Sequence, residues 1–133
     1  MTPAQIQRAL SSVALAAAAA TGALVLALSD GGGRQPWTSV FVVALLGSMP
    51  YAAFVMIGRW AVGVPTAQLA VFGTLIVTVF FAAGIFALAF AIDPTPGDVS
   101  AFVQVPLLQS VGVALAGVAT SLLRLRARAE GPR

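Results

Sequence analysis

This chain of 133 residues predicts an all-α fold: an integral membrane four-helix bundle running up-down-up-down, with the N and C termini cytoplasmic. Three observations lead to it. The 7 basic and 4 acidic residues all lie outside four apolar stretches, Ala9 to Ser29, Gln35 to Gly58, Trp60 to Ile92 and Val99 to Leu123, each longer than the roughly 18 residues that mark a transmembrane candidate. Hydrophobic residues make up 59% of the chain and charged residues only 8%, against about 25% charged in a soluble domain. The basic residues also divide unevenly between the connecting segments, which is the signature of orientation in a bilayer.

The expected helices are about 9–28, 37–57, 66–92 and 101–123, followed by a frayed basic tail, 124–133, and together they form a single transmembrane domain over 1–133. In the first, an Ala-rich run follows Arg8. It could also be read as a signal peptide, but its apolar part exceeds the usual 7 to 15 residues of a signal core, so a retained helix is expected. Small side chains there suit close packing against neighbours more than contact with lipid. The segment from Ser29 to Pro36, with Asp30, three consecutive glycines and Arg34, reads as a loop. The second helix is flanked by Trp37 and Trp60; their separation of about 23 residues, roughly 35 Å of helix, matches the distance between two interfaces.

Gly58 to Pro65 carries Arg59 and forms a short connection. The third helix is about 40 Å long, more than a ~30 Å hydrocarbon layer needs, so tilt or a protruding end is expected. It stops at Asp93-Pro94-Thr95-Pro96-Gly97-Asp98, where nothing continues a helix. With both termini inside, Arg8, Arg59, Arg124, Arg126, Arg128 and Arg133 face the cytoplasm and only Arg34 faces out, as the positive-inside rule requires.

Within the spans no residue is ionisable at neutral pH, which disfavours a proton relay or ion pathway. Cys, His and Lys are absent, removing thiolate and imidazole ligands, the usual general base and Schiff-base chemistry. No enzyme, cofactor or metal site is expected; Asp30, Asp93 and Asp98 are most simply turn residues. The excess charge of +3 sits largely in an Arg tail suited to anionic headgroups rather than to nucleic acid.

The candidate intramembrane polar cluster is Ser48, Pro50, Tyr51, Gln104 and Gln109. Pro50 lacks an amide proton, so a kink is expected, with Ser48 or water satisfying the freed Leu46 carbonyl. An unpaired phenol at Tyr51 in hydrocarbon would cost roughly 2 to 7 kcal/mol. Gln109 is its expected partner, although separate bonds to backbone carbonyls are an equal alternative. Gln104 is placed near the start of the fourth helix, as a cap or hydrogen-bonding group beside Pro106. Two stripes of small and polar residues are expected to pack helices together: Gln109, Gly112, Ala116 and Thr120 on the fourth helix, opposite Leu108, Val111, Leu115 and Leu122, and Thr74, Thr78 and Ala82 on the third.

Pro50-Tyr51 in the second span, a Pro-rich outer loop with Asp98, and Pro106-Leu107-Leu108-Gln109 in the fourth resemble small uncharacterised bacterial four-span integral membrane proteins. That resemblance implies an inner-membrane protein with no assigned activity. The stretch from Gly47 to Phe54 is similar to the second span of the ATP synthase I protein, a rotor assembly factor, but the charged residues of that family's third helix are missing here. The expected function is a non-catalytic accessory, assembly or oligomerising module whose partners are the lipid bilayer and further copies or a larger membrane complex. The alternatives are a small oligomeric transporter, channel or lipid flippase lined by Pro50, Tyr51, Gln104 and Gln109, and a phage holin.

Overall fold

A computed structural model describes residues 2–29, 37–92 and 100–130. Four helices account for nearly all of them: α1 (Pro3–Ser29), α2 (Trp37–Trp60), α3 (Pro65–Ile92) and α4 (Ser100–Ala129). All four are long and apolar enough to cross a membrane, and the expected loops around Asp30 and Arg34 and from Asp93 to Asp98 lie outside the described residues.

The helix ends depart informatively from the sequence expectation. α1 begins at Pro3 rather than near Ala9. Gln5 N donates to Thr2 Oγ1 at 3.3 Å and Thr2 N donates to Gln5 Oε1 at 2.7 Å, a reciprocal capping box with proline at the first helical position. At the other end of the chain the basic segment is no frayed tail, because α4 continues through Arg124, Arg126 and Arg128 to Ala129. Arg, Leu and Ala are strong helix formers, and cations in the last turns oppose the negative end of the helix dipole. The run of charge ends the span, not the helix.

α2 runs past Ile57 to Trp60, so Gly58 and Arg59 belong to the helix rather than to the expected connection, and the turn between α2 and α3 is tight. Val62 N donates to the Arg59 carbonyl at 3.2 Å and Val64 N to that of Ala61 at 3.0 Å. Gly63 takes φ of 96°, a left-handed conformation that only glycine adopts cheaply, and Pro65 starts the next helix.

Contacts along the helices fix their directions. Leu10 meets Gly58 while Thr21 meets Gly47, so α1 and α2 are antiparallel. Phe54 meets Gly112 and Ile57 meets Gly117, so α2 and α4 run the same way. Thr78 meets Gly112, and Ala82 and Phe86 share a cluster with Val105, so α3 opposes α4. Around the bundle the order is α1, α2, α4, α3, with α2 and α3 close across the short diagonal and the backbones of α1 and α4 farther apart along their described parts. The up-down-up-down bundle is therefore as expected, and it gathers Arg8, Arg59, Arg124, Arg126 and Arg128 at one end.

Leu10, Phe54, Val71, Leu75 and Ala116 are wholly buried in the principal core cluster. The outward faces are equally apolar: Leu15 is 73% exposed, Phe41 68% and Phe80 74%. In water such a surface would be an aggregation hazard; in hydrocarbon it is the ordinary exterior of a multi-pass membrane protein.

Candidate functional site

Midway through the bundle a chain of polar groups crosses three helices. Gln109 Nε2 of α4 donates to the Tyr51 hydroxyl of α2 at 2.7 Å. Thr21 Oγ1 of α1 lies 3.5 Å from the same hydroxyl and donates to the Ala17 carbonyl at 2.9 Å. Tyr51 and Gln109 are buried, at 3% and 0% exposure. The expected Tyr51 to Gln109 contact is thus present, and a neutral hydrogen bond shielded from water is its physical content. Thr21 is an addition. It is the one polar side chain between Ser12 and Ser29 of α1, and that isolation was the available signal.

The other members of the expected cluster are placed differently. Pro50 is buried one residue from Tyr51, and α2 continues through it. Ser48 is half-buried and donates to the Ala44 carbonyl at 2.8 Å. It does not serve the Leu46 carbonyl, because a helical serine reaches back four residues along its own helix. Gln104 is exposed and apart from the cluster. Five residues turn an α-helix by about 140° relative to Gln109, which carries Gln104 to the outward face, and α4 begins at Ser100, so Gln104 caps nothing.

The two packing stripes meet each other. A Cβ added at Gly112 would overlap Thr78 Oγ1 and stand 3.4 Å from Phe54 Cζ. Thr78 donates to the Thr74 carbonyl and Thr74 to the Ala70 carbonyl, both at 2.8 Å. These hydroxyls therefore satisfy their own helix and present small surfaces to α4. Ala116 and Thr120 continue the buried stripe, while Val111, Leu115 and Leu122 face outward as expected.

Near this layer, Thr21, Val25, Val43, Gly47, Phe86, Val105 and Pro106 line a small crevice with room for no more than about one water molecule. Its walls are apolar except for Thr21.

Arg124 forms a link that the sequence reading did not identify. Its guanidinium lies 5.0 Å from the Trp60 ring centroid and Nη1 donates to the Trp60 backbone carbonyl. Trp60 is the last residue of α2, so α4 satisfies a carbonyl that the helix end leaves free and adds a cation–π contact. The pairing of a basic residue with a flanking tryptophan at the same expected interface was the signal. Arg124→Gln is expected to lose about 0.5–1 kcal/mol, read as a small drop in the midpoint of thermal unfolding in detergent.

No family model, curated protein or solved structure matches the chain.

Proposed function

We propose that this protein is a non-catalytic accessory, assembly or oligomerising module of the bacterial inner membrane, with both termini in the cytoplasm. The observation that carries this reading is the use made of the buried polar groups. Gln109, Tyr51, Thr21 and Thr78 are directed at other helices of the same bundle or at their own backbone, and among the described residues no reactive pair is aimed at a shared space. A Ser or Thr nucleophile would need an activating base, and the spans contain none. What remains for recognition is the apolar exterior, where Gly73 and Gly84 of α3 have open space where a Cβ would sit and so would allow close approach of another helix.

The absence of native cysteine permits a clean test. Single cysteines at Gly73, Val77, Phe80 and Gly84, cross-linked in native membranes, are expected to give discrete higher-mass species at one or more positions. Recovery of monomer alone from every position would overturn the module reading. Orientation rests on the arginines collected at one bundle end. A reporter fused after Arg133 is expected to be active in the cytoplasm only, and periplasmic activity would reverse the topology.

A small oligomeric transporter, channel or flippase is the second reading; the crevice beside Thr21 has room for only about one water molecule, so a pathway there would have to widen. In that case solute or lipid flux in proteoliposomes would be lost when Val43 and Val105 are both enlarged to Phe, and an absence of flux from the unaltered protein would dispose of it.

A further inference from the structure

Six buried side-chain atoms have no hydrogen-bond partner among the described residues: both polar atoms of Gln7, both of Gln68, Gln109 Oε1 and Thr120 Oγ1. Gln109 belongs to the central layer. The remaining three residues lie at about the same level near the arginine-rich end, as the helix registers show. Gln7 Oε1 lies 3.1 Å from the position of a Cβ on Gly58, which ties α1 to α2 at that height. Ile57 meets Gly117 and Trp60 meets Arg124, which brings Thr120 of α4 to the level of Gly58. From the contact of Thr78 with Gly112, ten residues back along α3 is about 15 Å and eight residues forward along α4 is about 12 Å, so Gln68 and Thr120 end at nearly the same height. Gln68 and Thr120 each have 0% exposure.

A buried carboxamide left unpaired is costly in any medium and more so where the alternative solvent is hydrocarbon. Two carboxamides and a hydroxyl together offer donors and acceptors in comparable number. What completes them must be small, uncharged and able to donate and accept at once. We propose that Gln7, Gln68 and Thr120 form an internal water-binding site at the arginine-rich end of the bundle, in which water bridges α1, α3 and α4. Water with two to four polar partners is a normal structural component of protein interiors. Here it links α1 to α4, the two helices whose backbones lie farthest apart in the described residues.

The test uses the full chain in lipid nanodiscs, with glutamine side chains labelled with ¹⁵N. Cross-relaxation between the Gln68 carboxamide protons and water is expected to carry the sign of a long-lived bound molecule, whereas exposed Gln5 shows the opposite sign of fast bulk water. Because the water is shared, Gln68→Leu is expected to lose the bound-water signal at Gln7 as well, and the milder Thr120→Val to weaken it. If Gln68 shows no bound-water signal in the unaltered protein, or shows direct cross-relaxation with Gln7 instead, the carboxamides pair with each other and the proposal fails.

Discussion

Replacing Gly112 with Ala is expected to destabilise the bundle by about 1–3 kcal/mol, and adding Thr78→Ala to the same chain is expected to recover most of that loss. On helix propensity alone the first substitution should help, since Gly is about 1 kcal/mol less favourable than Ala inside a helix. Packing reverses the sign. The new methyl would overlap Thr78 Oγ1, and Thr78 cannot yield freely because its hydroxyl is bonded to the Thr74 carbonyl at 2.8 Å and Phe54 Cζ closes the other side at 3.4 Å. Removing Oγ1 leaves Thr78 Cβ 3.5 Å from the added carbon, an ordinary contact. Gly73 and Gly84 supply the control. A Cβ at either meets nothing within 4 Å, so Ala there should stabilise by about 0.5–1 kcal/mol. Unfolding in detergent micelles measures all four variants, and a Gly112→Ala midpoint at or above that of the unaltered protein would refute the close α3–α4 approach.

Bilayer physics made most of the architecture readable in advance. A hydrocarbon solvent allows few ways to satisfy a backbone, so four uncharged runs separated by Arg, Asp, Gly and Pro leave little choice of fold. The same constraint exposed the Tyr51 to Gln109 bond, because a phenol in the middle of a span needs a partner and few side chains were available. Features that depend on helix phase were harder to read. Gln104 and Gln109 look equivalent as intramembrane glutamines, yet about 140° of rotation sends one outward and buries the other. Local capping chemistry was also underweighted. Thr2 and Gln5, spaced as a capping box, start α1 at Pro3 and thereby bring Gln7 inside the helix and against Gly58. Without that earlier start Gln7 belongs to a polar leader, and its layer with Gln68 and Thr120 goes unnoticed. Arg124 is a similar case: reading the arginines as a detached tail hides their role in closing the end of α2.

The central polar chain makes the second large prediction, an order of effects rather than a single loss. Tyr51→Phe removes the hydroxyl that accepts from Gln109 Nε2 at 2.7 Å and leaves that buried amide with nothing in its place, at a cost of about 1–3 kcal/mol. Gln109→Leu should cost less, because it removes a side chain whose Oε1 already has no partner among the described residues and leaves Tyr51 the contact with Thr21 Oγ1 at 3.5 Å. The double variant replaces both partners with apolar groups of similar size, which can be nearly neutral. It should therefore be no less stable than Tyr51→Phe alone. The resulting coupling energy is expected between about 0.6 and 1.7 kcal/mol, the average and the maximum found for interhelical bonds within a membrane protein. Strict additivity of the two losses would mean that the bond contributes nothing. The chain's single tyrosine provides a second readout, since its phenol resonance should shift on Gln109→Leu and shift less on Thr21→Val, following the 2.7 Å and 3.5 Å separations. A larger shift from the Thr21 substitution would move the principal link from α4 to α1 and, with it, the helix pair that this layer holds together.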